Sequence, residues 1–449
     1  MTPRVLLFPS CGGAGLGHLS RCQRLASAMR RRGWDARLCI TPRRASALDY
    51  GDVPFIELPH LDYAKPRGGV APAYTCLSNG NLQVLRDGFL TPFHLLRSLR
   101  EAGEAIRAFR PDVLVGDLSL LAWILGRRHG IPVAQLVRAI IHPDGGKIFW
   151  WRDPPQGDQP PDIRPVFNPL LRLWGLPPVD RAEDALRGEL YLVPSIPSLD
   201  PLPSGLEHTH YTGPLFDPTP SSASLPPDFP DRRGGKLLYI TFGGGVTPSQ
   251  ARPVMQSIYA ALGNMPGLQV AVSGGGNQPE DGNAPVNFRF YRWLPGRAAI
   301  AASDAVLYHG GQNTMLELAA HGVPGLALPF QSEQESNARR LQQAGAGRVL
   351  SPLDGPTALR AVRSRRWYRP FQTCVVPHWS PPPEAVRTAV TALLEDPSYR
   401  TSAGSLREES AQYGGIENAV DMIASLKASH PSPHTTNMWV NGELPAGRG

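Results

Sequence analysis

The sequence predicts an α/β protein with two similar domains, and three observations lead to this fold class. Residues 5–9 read as a short buried strand, followed by a glycine-rich turn, a helix and a second strand at 36–41. This β-α-β order is typical of a parallel sheet. The same order begins again at residues 236–242, after a run at 217–235 that is rich in Pro, Ser and Gly, as linkers are. A chain of 449 residues is also long enough for two separate cores.

The predicted boundaries follow these changes in composition. We expect an N-terminal domain at 1–216, a linker at 217–235, a C-terminal domain at 236–380, helices within 381–427 and a disordered polar tail at 428–449. Residues 354–380 of the C-terminal domain are basic and irregular in sequence and carry no recognisable motif.

The charge and cysteine content of the chain limit the kinds of binding partner and cellular compartment that we expect. The net charge of +7 favours anionic partners, namely a nucleotide diphosphate, an anionic lipid or a nucleic acid. No basic run is dense enough to argue for nucleic acid alone. The five cysteines form no CxxC pair, which is typical of reduced thiols in a cytoplasmic protein. No stretch approaches a signal peptide or a membrane span, so we expect a soluble or peripheral protein.

The first glycine-rich loop, residues 12–17, does not bind a dinucleotide in any obvious way. Its glycines lack the G-x-G-x-x-G spacing, and the strand at 36–41 ends without an acid to bind a ribose. The loop instead carries His18 to the C-terminal edge of the sheet, where ligands bind in open α/β folds. The alternative is a histidine that only caps the helix.

A second candidate lies at the same predicted edge. Residues 111–117 read as a buried strand that ends in Asp117, and a helix at 120–128 follows. Asp117 or Ser119 would be a suitable N-cap for that helix. The functional alternative is an acid that orients His18 and stabilises its cation, as in a catalytic triad. The long irregular stretches at 42–95 and 139–215 are typical of binding loops.

Two features of the C-terminal domain are suited to ligand binding: a glycine turn that a ligand can approach closely, and an aromatic residue that can stack on a base. The strand at 236–242 ends in three glycines, including Gly243 and Gly244, which let a backbone approach a ligand. Trp293 precedes a Leu-Pro turn and could stack on a nucleobase, although a core or hinge aromatic is an equal alternative.

The stretch 307–337 predicts an anion site. A strand ends at His309, the turn Gly310-Gly311 follows, and a helix opens at Asn313-Thr314. This order collects backbone N–H groups and the positive end of a helix dipole at one point, which attracts phosphate.

Acidic and amide side chains follow the anion site along the chain. Glu317 lies one turn into the helix, and Glu333-Gln334 are expected on the loop after the next strand. These side chains are able to accept hydrogen bonds from sugar hydroxyls. The stretch therefore predicts a nucleotide-sugar site.

Taken together, these features resemble the GT-B nucleotide-sugar glycosyltransferases, and most closely the bacterial antibiotic and plant secondary-product UDP-glycosyltransferases. The resemblance covers most of the chain and is carried in order by GLGHLSR, PDVLVGDLSLLAWILGRRHGIP, HYTGPL, YITFGGG and NFRFYRWLPGRAAIAASDAVLYHGGQNTMLELAAHGVPGLALPFQSEQESNA. It implies two Rossmann-like domains that face each other across a cleft.

The resemblance also implies roles for individual residues. His18 corresponds to the general base that deprotonates the acceptor hydroxyl, and Asp117 to its acidic partner. Residues implied in donor binding are Gly17, Gly243, Gly244, Trp293, His309, Gly311, Asn313, Thr314, Glu317, Glu333 and Gln334. No metal ligand is implied.

The sequence departs from the family pattern at four places. Gly296 stands where a glutamine often follows W-x-P, Gln312 replaces the tryptophan common after HGG, and Glu333 replaces the usual aspartate. The segment 354–380 is an insertion relative to the family.

The predicted function is inverting, metal-independent sugar transfer, of the hexosyltransferase type, from a UDP- or TDP-sugar to a hydroxyl of a small-molecule or lipid acceptor. The chain has no D-x-D motif, and no cofactor is expected beyond the donor. We expect a cytoplasmic enzyme; the alternative is an enzyme that binds peripherally at the inner face of the membrane. Two alternatives remain. The motif GxGHxxRC at 15–22 resembles nucleotide-sugar hydrolases, and an inactive sugar-nucleotide-binding protein would carry similar residues.

Overall fold

The computed structural model of the chain describes residues 2–11, 16–59, 71–145, 152–216, 224–230, 235–274, 284–364 and 369–430. Three predicted segments therefore lie largely outside the described residues: the glycine loop at 12–17, the linker at 217–235 and the tail at 428–449, of which residues 12–15, 217–223, 231–234 and 431–449 are not described.

The N-terminal half, residues 2–216, alternates strands with helices in the predicted way. Its elements are β1 Arg4–Pro9, α1 Gly17–Arg31, β2 Asp35–Ile40, β3 Phe55–Glu57, β4 Tyr74–Thr75, α2 Gln83–Arg86, α3 Pro92–Phe109, β5 Val113–Asp117, α4 Ala122–His129, β6 Val133–Leu136, α5 Arg164–Leu173, β7 Leu190–Val193 and β8 Thr209–Tyr211.

The C-terminal half, residues 224–430, repeats the alternation and ends in three helices. Its elements are β9 Lys236–Thr241, α6 Pro248–Leu262, β10 Leu268–Ser273, β11 Phe288–Tyr291, α7 Gly296–Ala302, β12 Ala305–Tyr308, α8 Gln312–His321, β13 Gly325–Ala327, α9 Ser332–Gln343, β14 Gly347–Val349, β15 Arg360–Ser364, β16 Phe371–Val376, α10 Pro383–Glu395, α11 Pro397–Ala411 and α12 Gly415–Ser429.

Each half is built on a parallel sheet, which confirms the predicted fold class. The seven strands of the N-terminal sheet run in the order β3-β2-β1-β5-β6-β7-β8, and the six of the C-terminal sheet in the order β11-β10-β9-β12-β13-β14. The register pairs Pro9 with Asp117 and Tyr308 with Thr241. Strands β1 and β5 therefore end together, as do β9 and β12, and each pair of ends presents loops to a ligand.

Both faces of the N-terminal sheet are covered, as an all-parallel sheet requires. Because successive side chains alternate between faces, Leu6 and Phe8 of β1 pack into the core on the side of α3 and α5. Val5 and Leu7 pack into the core on the opposite side, together with α1.

The last helix returns to the N-terminal half. Ile416, Val420 and Ile423 of α12 are buried in the same core as α1, and Arg32 Nε donates to Glu417 Oε2 at 3.0 Å. The helix ends at Ser429, so it continues two residues into the predicted tail. In the described part of the chain, no helix has the length and apolar character needed to cross a membrane.

The expectation that residues 354–380 are irregular was wrong. Strands β15 and β16 lie within this segment and form an antiparallel pair. Strand β16 also pairs with β4 of the N-terminal half, with Val375 opposite Thr75 and Val376 opposite Tyr74. Phe371 at the start of β16 is buried in the N-terminal core. A three-stranded sheet is therefore shared between the two halves.

Candidate active site

The residue pair at the centre of the site is His18 and Asp117. His18 is the second residue of α1, and Asp117 is the last residue of β5. His18 Nδ1 lies 2.9 Å from Asp117 Oδ1, and the histidine side chain is 32% exposed while the aspartate is 1% exposed. The imidazole is thus anchored on one nitrogen while part of the ring stays accessible.

The capping alternatives do not describe these residues. The N-cap of α1 is Leu16, so His18 lies inside the helix. Helix α4 begins at Ala122, and no side chain caps it. The Asp117 carboxylate is directed at α1 instead of α4, because its partners are His18 and an arginine of the same helix.

That arginine, Arg21, is a site residue to which the sequence analysis gave no role. Its Nε donates to Asp117 Oδ2 at 2.8 Å and its Nη2 donates to Asp117 Oδ1 at 2.7 Å. This two-point geometry matches a guanidinium to a carboxylate and is among the stronger hydrogen-bonding arrangements in proteins. Arg21 is 5% exposed, so the pair is shielded from water.

The charges in this cluster keep Asp117 ionised. Burial alone would raise the pKa of the Asp117 carboxyl, but the nearby Arg21 charge, and then His18, outweigh it. The pKa of Asp117 is therefore held well below its usual range. The thiol of Cys22 lies 3.8 Å from Asp117 Oδ2, and burial raises its pKa well above normal, so it stays a neutral thiol.

His309 follows β12 and lies against two glycines. A Cβ on Gly243 would lie 3.0 Å from His309 Cε1, and a Cβ on Gly311 would lie 2.7 Å from the same atom. Gly243 also has φ +62°, in the region that favours glycine. Both positions therefore need glycine for the imidazole to fit. Gly244 is an exposed residue of the same turn.

The surroundings of His309 favour a neutral ring. Burial lowers the pKa of His309 to about 4, and the attraction of Glu333 only partly opposes the shift. Among the residues that the structure describes, no partner lies within hydrogen-bonding distance of its Nδ1. Because this nitrogen is itself buried, a neutral ring would contact a polar ligand group through Nε2.

The turn after His309 leads into the N-terminus of α8, as predicted. Gly311 is the N-cap, and no side chain caps the helix. Backbone N–H groups of the first turn therefore remain available to an anion. Asn313 and Thr314 lie in this turn and are partly exposed. Asn313 Nδ2 donates to the carbonyl oxygen of Gly17 at 3.4 Å, so the start of α8 contacts the start of α1.

Trp293 is the first residue of the W-x-P turn, and Glu317 lies close to Gly296, the residue after this turn. A Cβ on Gly296 would be 4.0 Å from Glu317 Oε2, so the carboxylate lies beside that turn. Burial raises the pKa of Glu317, while Arg24 and Arg297 lower it in part. Trp293 is 70% exposed. The interpretation of Trp293 as a core residue was therefore wrong, whereas a stacking platform is compatible with its exposure.

Glu333 and Gln334 were expected on a loop, and this was wrong, because both lie in the first turn of α9. A run of polar residues without apolar periodicity hid the helix from sequence reading. Glu333 Oε1 accepts from Arg138 Nη1 of the N-terminal half at 2.9 Å and from Asn337 Nδ2 at 2.8 Å. Gln334 is buried, and its Oε1 accepts from the backbone N–H of Phe330 at 2.8 Å. Of the two side chains, Glu333 is the more exposed.

The structure thus brings the predicted residues together in three groups. The first is His18 with Asp117, and the second is His309 with Gly243 and Gly311. The third joins the halves directly and consists of the contact between Gly17 and Asn313. Among the described residues, no side-chain hydrogen bond joins Trp293, Thr314 or Glu317 to another predicted residue.

Two residues missed by the sequence analysis, Arg21 and Arg138, lie between the halves. Arg21 follows His18 by three residues, so the two side chains lie on one face of α1, and this spacing was a usable signal. Arg138 follows the buried strand β6, so its position resembles that of Asp117 after β5. Their contacts with Gln312 and Glu333 of the other half had no signal in the sequence.

Comparison with known proteins identifies the family. Residues 258–365 match the family model described as erythromycin biosynthesis protein CIII-like, C-terminal domain. The chain is 30% identical over 365 residues to the PGL/p-HBAD biosynthesis glycosyltransferase of Mycobacterium tuberculosis, covering 75% of this chain and 78% of that protein. It is 25% identical to the oleandomycin glycosyltransferase of Streptomyces antibioticus, covering 78% and 77%.

Solved structures share the fold. The glycotransferase of kitacinnamycin matches with a TM-score of 0.68 at 19% identity, covering 95% of this chain and 99% of that one. The spinosyn rhamnosyltransferase SpnG complexed with thymidine diphosphate matches with a TM-score of 0.63 at 19% identity, covering 94% and 100%. The predicted GT-B resemblance is confirmed, and the chain belongs to the bacterial macrolide and antibiotic family of GT-B nucleotide-sugar glycosyltransferases.

Proposed function

We propose that this glycosyltransferase transfers a sugar from a TDP- or UDP-sugar to a hydroxyl group of a small-molecule or lipid acceptor, with inversion at the anomeric carbon and without a metal. His18 is the general base in this proposal. The observation that carries it is the 2.9 Å contact between His18 Nδ1 and the buried carboxylate of Asp117.

The proton step follows from that contact. When Nδ1 donates to Asp117, the other ring nitrogen, Nε2, is unprotonated and able to accept a proton. Nε2 takes the proton of the acceptor hydroxyl as the oxygen attacks C1 of the sugar. The bond from C1 to the diphosphate oxygen breaks at the same time, and attack from the face opposite the leaving group inverts C1.

The leaving diphosphate needs its negative charge stabilised. The uncapped N-terminus of α8, which begins after Gly311, supplies backbone N–H groups and the positive end of the helix dipole. His309, which directly follows β12, is proposed to add its Nε2. Asn313 and Thr314 of the first turn are the further candidate donors.

The remaining predicted residues are proposed to hold the rest of the donor. The exposed ring of Trp293 is suited to stack on the base, and Glu317 is proposed to accept hydrogen bonds from the ribose. Glu333 and Gln334 are proposed to contact the sugar. The thymidine diphosphate in the spinosyn rhamnosyltransferase favours TDP as the first nucleotide to test.

The acceptor class is proposed from the relatives. One relative is named as an oleandomycin glycosyltransferase and another as a glycosyltransferase of PGL/p-HBAD biosynthesis. Both names support an organic acceptor with a free hydroxyl, and the second includes lipids. A lipid acceptor would bring the enzyme to the inner face of the membrane.

The first experiment is a substrate panel. TDP-, UDP- and GDP-sugars are each incubated with macrolide aglycones and with p-hydroxybenzoate derivatives, and released nucleotide and glycosylated product are measured separately. We expect acceptor-dependent product with a TDP- or UDP-sugar. Nucleotide release that needs no acceptor would identify a hydrolase instead, and no turnover with measurable donor binding would favour an inactive binding protein.

The second experiment tests the base. His18→Gln should lower kcat by about 10³-fold while TDP affinity stays within about twofold, because the change removes proton transfer only. His210→Gln, at an exposed histidine of β8, is the matched control and should keep wild-type turnover. Wild-type turnover in His18→Gln would overturn the assignment.

A further inference from the structure

Arg21 is connected to both halves of the proposed site. On its own half it makes the two-point contact with Asp117, through Nε at 2.8 Å and Nη2 at 2.7 Å. On the other half its Nη1 donates to Gln312 Oε1 at 3.3 Å. Gln312 is the first residue of α8, where the family often has tryptophan.

Arg21 also lies against the imidazole itself. Its Nη2 is 3.1 Å from His18 Nδ1, and the same ring nitrogen is 2.9 Å from Asp117 Oδ1. Asp117 Oδ1 is thus shared between the guanidinium and the imidazole. The cation of Arg21 cancels much of the carboxylate charge that would otherwise stabilise a protonated imidazole.

In the described part of the chain, charged, titratable and amide groups from four elements surround His18, Asp117 and Arg21. Strand β5 contributes Asp117, and α1 contributes Arg21 and the neutral thiol of Cys22. Helix α8 contributes the uncharged amide of Gln312. Helix α9 contributes Glu333, whose charge acts on Arg21 from a greater distance. Arg21 is therefore the cation nearest to His18 among them.

We propose that Arg21 is a positioning residue that keeps His18 neutral, by sharing the Asp117 carboxylate with it, while Gln312 holds the guanidinium from the donor side. This inference rests on the proposed role of His18 as the base. A carboxylate-histidine pair without the arginine would orient the ring equally well but would also favour its protonated form. The protonated ring is unable to accept the acceptor's proton.

The proposal is tested by following the histidine directly. The full-length protein is labelled with ¹⁵N-histidine and titrated by NMR, and the His18 signals are assigned by their loss in His18→Gln. In Arg21→Gln, the titration midpoint of His18 should rise by about one pH unit relative to wild type, because the carboxylate charge is no longer cancelled. In Arg21→Lys the midpoint should stay within about 0.3 pH units, because the cation is retained.

A control and a milder variant complete the series. Arg24→Gln removes a cation from the next turn of α1, on the side of Glu317, and should leave the midpoint within about 0.3 pH units. Gln312→Glu leaves the contacts of Asp117 intact and places a carboxylate on Arg21 Nη1, so the midpoint should rise by about half a pH unit. This variant keeps the test available even if Arg21→Gln does not fold. An unchanged midpoint in a folded Arg21→Gln, or in Gln312→Glu, would overturn the proposal.

A rate measurement separates this inference from the proposed function. Once an acceptor is known, the acidic limb of the pH profile of kcat/KM should move with the NMR midpoint across the variants. If the midpoint moves and the rate profile does not, Arg21 controls His18 but His18 is not the base. If neither moves, the inference itself fails.

Discussion

Arg138 of the N-terminal half and Glu333 of the C-terminal half form an ion pair, with Arg138 Nη1 2.9 Å from Glu333 Oε1. The arginine is 8% exposed and also contacts Asp200, whose side chain is 3% exposed, through Nε at 3.3 Å. A carboxylate proposed to bind the donor sugar is therefore already bound to the other half. Glu333 therefore has two candidate roles, in holding the halves together and in binding the donor sugar, and mutations can distinguish them.

We expect Arg138→Met and Glu333→Gln to have different consequences. Arg138→Met leaves the buried carboxylate of Asp200 without its cation and should lower the free energy of unfolding by about 3–5 kcal/mol. Glu333→Gln keeps the size of a more exposed side chain and should cost about 1 kcal/mol, but weaken donor-sugar binding about tenfold. Urea unfolding and calorimetry with the donor measure the two effects.

The control for this pair is an exposed ion pair of the N-terminal half. Arg127 lies 3.5 Å from Glu189 and its side chain is 57% exposed. Arg127→Met should cost less than about 1 kcal/mol, because surface pairs contribute little. If Arg138→Met were equally mild, the ion pair between the halves would have no structural role.

Gly310 is expected to be intolerant of any side chain. It has φ +83°, and a Cβ there would lie 2.9 Å from the carbonyl carbon of Gln334 in α9. Gly310→Ala should lower the free energy of unfolding by about 2–4 kcal/mol, because the strain of a positive φ and the clash of the new methyl group with the α9 backbone add together. Gly245→Ala is the matched control, since a Cβ at Gly245 meets no heavy atom within 4 Å. Thermal unfolding compares the two, and equal midpoints would contradict the prediction.

His309 should make stability depend on pH in a defined window. Its folded pKa of about 4 lies below the ordinary value of 6.5 because the ring is buried. As pH falls from about 6.5 to about 4, the unfolded chain binds a proton that the folded chain does not, so stability is present above this window and lost within it. His309→Asn should remove up to about 3 kcal/mol of this loss. Urea unfolding at several pH values measures it, and a parallel pH dependence in the variant would contradict the assignment.

Trp293 should affect donor binding without affecting stability. Because the ring is 70% exposed, Trp293→Ala should change the thermal midpoint by less than about 1 °C. TDP affinity should fall about tenfold if the ring stacks on the base. Phe93→Ala, at an aromatic side chain that is 61% exposed on α3, is the control and should leave TDP affinity unchanged. Equal TDP affinities for the two variants would remove the stacking role.

The parts of the site that follow from strand order were predictable from the sequence. His18 comes after the buried strand β1 and Asp117 ends the buried strand β5, and adjacent parallel strands end at the same edge of a sheet. The turn from His309 to Gly311 was predictable for the same reason, since strand, glycine turn and helix N-terminus are local features. These inferences need no knowledge of how the halves meet.

The parts that depend on contact between distant segments were not predictable. Arg21 meets Gln312 across 291 positions of sequence, and hydrophobic periodicity carries no information about such a pair. Strand β4 has only two residues, and its partner β16 lies about 300 positions further along, so neither gave a strand signal of its own. Glu333 was assigned to a loop because residues 331–337 are all polar and show no apolar periodicity, while its contact with Arg138 lies outside the helix.

The sheet that β4, β15 and β16 form together has a mechanical consequence. Thr75 N donates to Phe330 O at 3.0 Å and Cys76 N to Cys374 O at 2.9 Å, while Gln372 and Gln159 exchange backbone hydrogen bonds at 2.9 Å. Two loops of the N-terminal half are therefore fastened to the C-terminal half. Any rotation that widens the gap between the large sheets must break these bonds or pull both loops away from their own sheet. The two loops would then move with the C-terminal half, and the gap would open within the N-terminal half instead of at its border.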